Sequence, residues 1–156
     1  MNIPHGAHGV KSIDWIKLGA RVGLAIPFLT FGLLKFVHAT SMATYIERHG
    51  LPGWLVGPAA VFQLAAGTMV IMGLGTRVAA AALAVFCVVA TSIFHSNLSD
   101  LRELSDFTKD LAATGGFLLL ALSGSGALSL DALISARGRG SPSRAPRAPG
   151  ASTHHR

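Results

Sequence analysis

Three long stretches of this sequence contain no Asp, Glu, Lys or Arg, and this feature limits the folds open to the chain. They are residues 49–76, 78–99 and 111–130. Each can supply the roughly 20 apolar residues that a helix needs to cross a bilayer. A helix of a soluble protein would instead carry a polar face. The pattern therefore predicts an all-α integral membrane protein.

Four transmembrane helices are predicted, at about 18–37, 54–74, 78–95 and 111–130. The first contains Arg21 and Lys35 near its ends, where long basic side chains can reach the headgroups. Gly and Ala recur along the later helices and allow close helix packing. We expect an up-down-up-down four-helix bundle over 18–131. A cleavable signal peptide fits less well, because the basic region before the first apolar stretch is too long.

Basic residues are distributed unequally between the two sides of the predicted bundle. One side holds nine of them: Lys11, Lys17, Arg21, Arg77, Arg137, Arg139, Arg144, Arg147 and Arg156. The other side holds four: Lys35, Arg48, Arg102 and Lys109. The positive-inside rule places the richer side in the cytoplasm. We therefore expect both ends of the chain in the cytoplasm, so that the segment 1–17 is cytoplasmic.

The C-terminal segment 132–156 is predicted to be a disordered basic tail. From residue 137 onward it has five Arg and no acidic residue, and it is rich in Pro, Gly and Ser. Such a composition cannot bury enough apolar surface to fold. The arginines lack aromatic neighbours and a folded context, so nucleic-acid binding is not predicted. Contact with lipid headgroups and a solvated tail without a role are the two remaining interpretations.

Polar side chains near or inside the predicted helices are the candidate functional residues, because polar groups within a membrane are costly. Gln63 should lie near the midplane, and most of the others at the outer ends of the helices. Together they would line one cavity opening to the outer face: Lys35, His38, Gln63, Thr91, His95, Lys109 and Asp110. The alternative is that the outer residues are interfacial anchors and that Gln63 bonds a neighbouring helix.

Few cofactors are compatible with these residues, and none that is covalently bound. The single cysteine, Cys87, excludes thiol–disulfide chemistry by this chain alone. No metal is predicted, since no histidine pair has metal-ligand spacing within a helix. Haem is disfavoured because His38 and His95 both end helices and no attachment motif is present. A quinone fits better, because an apolar cavity with His, Lys or Gln at its mouth offers donors to the reduced form.

Several short motifs follow one another in a characteristic order. They are Arg21-Val-Gly, Gly32-Leu-Leu-Lys35, Gln63-Leu-Ala-Ala-Gly67, Met72-Gly-Leu-Gly-Thr-Arg77, Ile93-Phe-His95, Lys109-Asp-Leu-Ala-Ala-Thr-Gly-Gly116, Gly124-Ser-Gly126 and Ser129-Leu-Asp131. With this order and spacing the chain resembles the DoxX family of bacterial membrane proteins. The family often has Glu at the position of Gln63. A carboxylate there could pair with Lys35 or carry a proton, and we expect an amide to do neither.

The resemblance implies a four-helix membrane protein, and two functions remain open. In the first, the chain is the membrane subunit of a quinone-linked redox or oxidative-stress system, as some family members are thought to be. In the second, it is a non-enzymatic membrane scaffold or small-molecule carrier that recruits a soluble partner. No motif for a bound redox centre is present, so the chain is not expected to be a complete oxidoreductase alone. A soluble redox partner or a homo-oligomer would complete it.

Overall fold

The computed structural model describes residues 11–94 and 99–139, in which helices are joined by turns and one irregular loop. The helices are α1 (Ser12–Val37), α2 (Ala39–Arg48), a short 3-10 helix (Gly53–Leu55), α3 (Val56–Met72), α4 (Thr76–Phe94), α5 (Leu101–Ser123) and α6 (Leu130–Arg139). No strand occurs within these ranges. The predicted all-α fold class is therefore confirmed.

Three helical stretches of the described chain are long and apolar enough to cross a membrane. They are Ser12–Val37, Gly53–Met72 and Thr76–Phe94. They correspond to the first three predicted spans, although the first begins six residues earlier than expected. Each includes only a few buried residues, as expected for helices whose outer faces meet lipid rather than water.

The fourth predicted span, 111–130, does not coincide with one helix. Helix α5 begins ten residues earlier, at Leu101, and its first turns carry charged side chains such as Glu103. It ends at Ser123 because Gly124 takes a positive φ of 71°, a conformation that terminates helices and favours glycine. An irregular loop then leads to α6.

Helices α1 and α3 pack closely in antiparallel directions. Gly32 of α1 lies against α3, where an added Cβ would stand 2.9 Å from Leu64 Cγ. Gly67 of α3 lies against α1 in the same way, 3.1 Å from Leu29 Cδ2. Small residues at such crossings let two membrane helices approach each other. Because each helix contributes a glycine, the close contact extends along both.

Helices α4 and α5 form the second close pair, and contacts of α3 with α4 and of α1 with α5 join the two pairs. The rings of Phe28 in α1 and Phe117 in α5 pack edge to face, with centroids 5.1 Å apart. Gly116 of α5 lies against Leu24 of α1. A core of small and aliphatic residues from α3 and α4, including Val70 and Leu83, surrounds this contact.

The interior of the described chain is mainly apolar, and its exterior is strongly apolar as well. Large apolar side chains such as Leu119, Leu122 and Val85 are exposed, whereas the buried residues include Arg21 and Gln63. Exposed apolar surface of this extent is unfavourable in water but is the ordinary exterior of a helix in lipid. The interior polar residues are consequently the ones that need a chemical explanation.

Two helices lie outside the sequence-based expectation. Helix α2 follows α1 directly, has no buried residue, and is joined to the end of α4 by stacking of Tyr45 on Phe94 with ring centroids 5.6 Å apart. Helix α6 covers residues 130–139, so the segment predicted as a disordered tail from 132 begins as a helix. The rest of that segment lies outside the described residues.

Candidate functional site

A hydrogen bond between two membrane helices joins the predicted candidates Lys35 and Gln63. Lys35 Nζ donates to Gln63 Oε1 over 2.7 Å. Gln63 is only 5% exposed, and Lys35 is half-buried at the last turn of α1. The antiparallel packing of α1 on α3 explains the meeting, since it places the end of α1 beside the middle of α3. The expectation that an amide at position 63 would not pair with Lys35 is wrong, because the amide oxygen is the acceptor.

A second polar pair joins α4 and α5. Thr91 Oγ1 donates to Asp110 Oδ2 over 2.8 Å, and Thr114 Oγ1 donates to the Asp110 backbone carbonyl over 2.8 Å. Cys87, one turn before Thr91 on the same face of α4, is buried. Thr91 and Asp110 are each half-buried.

The remaining predicted residues do not join these pairs. His38 is exposed and caps the end of α1. Lys109 is exposed and forms an ion pair with Asp106 at 3.0 Å, three residues earlier on the same helix. His95 lies outside the described residues. The arrangement of His38 and Lys109 matches that of interfacial side chains, whereas Lys35, Gln63, Thr91 and Asp110 bond between helices.

The most heavily engaged polar residue is one that the sequence did not indicate. Arg21 is 1% exposed, and its guanidinium bonds three backbone carbonyls. Nη1 donates to Ser125 O at 2.8 Å, and Nη2 donates to Leu128 O at 2.7 Å and to Ile71 O at 3.3 Å. The expectation that Arg21 reaches outward to the headgroups is therefore wrong. The loop between α5 and α6 folds over the guanidinium and supplies acceptors that headgroups would otherwise provide.

Asp131 fixes this loop against the turn between α3 and α4. Its carboxylate accepts from the backbone N–H of Gly75 at 2.9 Å and of Thr76 at 3.4 Å, so it caps the N-terminus of α4 from a distant part of the chain. Its own N–H donates to Gly73 O over 3.0 Å. Gly73 has a φ of 72°, and a Cβ there would collide with Ser129 and Arg21. We call Arg21, the turn 73–76 and the segment 125–131 the Arg21 clasp.

A groove of about 400 Å³ adjoins the Arg21 clasp. It is lined by Gly75, Arg77, Val78, Ser123, Gly124, Ser125, Gly126 and Asp131. Arg21, beside the groove, lies in the first half of α1, and Lys35 lies in its last turn. The groove and the Lys35–Gln63 pair are therefore toward opposite ends of the helices. The two polar sites of α1 are thus separated along its length.

The clasp and the Lys35–Gln63 pair bring together the sequence motifs that carried the resemblance. Arg21, the glycine turn after α3 and the Gly-Ser-Gly loop converge at one end, and Lys35 meets Gln63 toward the other. The DoxX family profile matches residues 16–96. The chain belongs to the DoxX family.

Two relatives support the same assignment. Inner membrane protein YqjF of Escherichia coli strain K12 is 34% identical over 117 residues, which cover 75% of this chain and 90% of YqjF. Inner membrane protein YphA of the same strain is 28% identical over 124 residues, covering 74% of this chain and 88% of YphA. No solved structure matches the chain. With its three membrane-length helices, this DoxX protein is a multi-pass protein of the bacterial inner membrane.

Proposed function

We propose that this DoxX protein binds a quinone at the Lys35–Gln63 pair and serves as the membrane subunit of a quinone-linked redox system. The observation that carries the proposal is the 2.7 Å bond between these side chains. An ammonium drawn between two apolar helices is costly to desolvate, and structural packing alone does not require it there. Of the described residues, only Gln63 accepts from Lys35, so donors remain for a ligand.

The two side chains offer what a quinone ring needs. An ammonium has three N–H donors and an amide group has two, so a quinone carbonyl could accept from Lys35 and from the Gln63 amide nitrogen together. The positive charge of Lys35 favours the reduced, negatively charged form of the ring. A quinone is itself lipid-soluble and would approach from the bilayer, along the exposed apolar faces of α1 and α3. In this proposal the electrons come from a soluble redox partner.

The proposal includes four membrane spans in an up-down-up-down bundle, with both ends in the cytoplasm. Helix α5 is the fourth span. Two contacts between α4 and α5 support this assignment: Thr91 bonds Asp110, and Arg77 lies beside Gly124. Fourteen residues separate the two positions on each helix, so α5 from 110 to 124 has the same length as α4 from 77 to 91. The first nine residues of α5 would then project roughly 13 Å beyond that level.

Reporter fusions test this topology. A reporter that is active only outside the cytoplasm should be active after Arg102 and inactive after Arg77 or Arg137. The basis is the unequal distribution of basic residues between the two sides. Activity after Arg77 together with silence after Arg102 would show the opposite orientation.

Quinone binding is tested with purified protein in lipid nanodiscs and a short-chain ubiquinone analogue, by calorimetric titration. Lys35→Met removes the charged donor while preserving much of the side-chain volume. A hydrogen bond from a charged group is worth roughly 1.5–3 kcal/mol, so the Kd should rise by about ten- to a hundred-fold. Lys109→Met is the matched control, because Lys109 is exposed, forms an ion pair with Asp106 and lies near the same end of the helices. Its Kd should stay unchanged.

Equal losses in the Lys35 and Lys109 variants would show that the pair is not the quinone site. A wild-type protein that binds no quinone saturably, and that copurifies with a soluble protein, would instead favour the scaffold or carrier function. Lys35→Arg separates charge from geometry. It keeps the positive charge but changes the donor shape, so a partial loss of affinity is expected if the ligand bonds Lys35 directly.

A further inference from the structure

Helix α6 presents an apolar stripe that ends in a basic residue. Leu133 and Ile134 are each 58% exposed, and Leu130 before them is half-buried. Arg137 is exposed and lies three or four residues beyond, hence on the same face of the helix. Ala136, also exposed, follows Ile134 by two residues and therefore lies on the side of the helix opposite to Ile134. Helix α6 therefore has large apolar residues and a basic residue on one side and small residues on the other.

The Arg21 clasp sets the depth of α6 relative to the membrane. Asp131, in the first turn of α6, caps α4, so α6 begins at the level where α3 ends and α4 starts. The preceding loop is held by Asp14, whose carboxylate accepts from the Ala127 N–H over 3.1 Å. Trp15, next to Asp14, is 63% exposed. An exposed Trp at the end of a membrane helix typically lies at the headgroup level, and α6 starts at that same level.

Charge indicates which molecule the stripe meets. The chain from residue 137 to its last residue contains five Arg and no acidic residue. Basic segments at a membrane surface are attracted to anionic phospholipids by about 1 kcal/mol per Lys or Arg. A helix with an apolar stripe beside basic residues commonly lies in the interface, with the stripe at the boundary of headgroups and acyl chains. An anionic headgroup is complementary to both features.

We propose that α6 lies along the membrane surface, with Leu133 and Ile134 in the headgroup–acyl boundary and Arg137 on anionic phospholipid headgroups. The Arg21 clasp holds the start of the helix at this depth, so docking needs no rearrangement of the other helices. The proposal is independent of quinone binding at the Lys35–Gln63 pair and of the orientation of the chain, because either leaflet of a nanodisc can supply the lipid.

Site-directed spin labelling of the full-length chain tests the proposal. Cys87→Ala removes the only native cysteine, and labels are then placed at Ile134→Cys or Ala136→Cys. In nanodiscs containing phosphatidylglycerol, the label at 134 should be accessible to dissolved oxygen and shielded from a water-soluble nickel chelate. The label at 136 should show the opposite preference. Leu133→Cys serves as a second probe of the stripe should the Ile134 variant fold poorly.

The contribution of charge is measured in the same assay. Arg137→Gln, or nanodiscs of phosphatidylcholine alone, should lower the ratio of immersed to solvated helix, by about fivefold for the loss of one arginine. Equal accessibility at 134 and 136 would overturn the proposal. An immersed fraction that neither Arg137→Gln nor the neutral lipid lowers would also overturn it. A label at 134 shielded from oxygen and nickel alike, and only in discs with two copies, would place a second chain on the stripe and also overturn it.

Discussion

Replacing Arg21 by methionine should be among the most destabilising single changes in this protein. The variant loses three hydrogen bonds from a charged donor, to the carbonyls of Ile71, Ser125 and Leu128. Two are short, but the bond to Ile71 is 3.3 Å, and Arg21 Nε has no acceptor among the described residues. Breaking a buried charged interaction on one side costs roughly 3–5 kcal/mol. We expect Arg21→Met to lower the free energy of unfolding by about that amount.

Thermal unfolding in a mild detergent, followed by tryptophan fluorescence, measures this loss. On the scale of roughly 2–4 °C per kcal/mol for a chain of this size, Tm should fall by about 6–20 °C. Hydrogen exchange of the segment 125–131 should accelerate in parallel, because the carbonyl acceptors that fix the loop lose their donor. Arg77→Met is the matched control. Arg77 is exposed in the same region, and its replacement should change stability by less than about 0.5 kcal/mol.

Arg21→Lys separates charge from the shape of the donor. An ammonium keeps the charge, but it cannot reproduce the planar fork that reaches carbonyls on two different segments. Its stability should therefore lie between those of the wild type and Arg21→Met. If Arg21→Met melted together with Arg77→Met, Arg21 would be a surface residue in solution and the Arg21 clasp would be wrong. Full recovery in Arg21→Lys would instead indicate that only the charge matters.

Two further measurements test the packing and the outer surface. Gly116→Val should destabilise the protein by about 1–3 kcal/mol through overpacking, because an added Cβ would lie 2.8 Å from a leucine of α1; Gly115→Val, with no atom within 4 Å, should cost far less, and equal Tm losses would contradict the contact. Burial raises the pKa of the Tyr45 phenol, with smaller contributions from the charges of Glu103 and Asp106. Tyr45 is the only tyrosine, so absorbance at alkaline pH should show ionisation above the ordinary pKa of about 10. Since the folded state holds the proton more tightly, stability should fall as pH rises past that ordinary value; Glu103→Gln should lower the midpoint of the tyrosine titration, and an unchanged midpoint would show that the Glu103 charge does not act on the phenol.

The helices that lack charged residues were the ones that could be predicted from the sequence. Long charge-free stretches identify α3 and α4, because lipid tolerates no other composition over that length. The same reasoning failed for α5, whose first ten residues are charged but helical. Helix formation there depends on Asp100, whose side chain caps the helix by accepting from the Arg102 N–H over 2.8 Å. Hydropathy does not register such a cap, so the helical turns before residue 111 were not predicted.

The burial of Gln63 was predictable from the sequence, but the contacts of the candidate site were not. The position of Gln63 near the middle of a span indicated an interior polar residue, and it is buried. Its bond with Lys35 depends on the antiparallel pairing of α1 with α3, which sequence distance does not reveal. Arg21 was missed because a basic residue near a helix end is ordinarily an interfacial residue. The usable signal in the sequence was the Gly124-Ser-Gly126 motif after α5. Both glycines have positive φ, and such a loop leaves carbonyls without helical partners.

The two basic residues of α1 differ in how many acceptors hold them, and this difference favours the proposed ligand site at Lys35 over one at Arg21. Arg21 bonds carbonyls of two separate segments, and a guanidinium fixed by backbone has little freedom to meet a ligand. Lys35 bonds one amide oxygen at the end of a flexible stem, and the desolvation of its charge is only partly offset. A ligand carbonyl would therefore gain more at Lys35 than at Arg21. These contacts favour a division of roles in which the Arg21 clasp stabilises one end of the protein and the proposed ligand binds near Lys35 at the other.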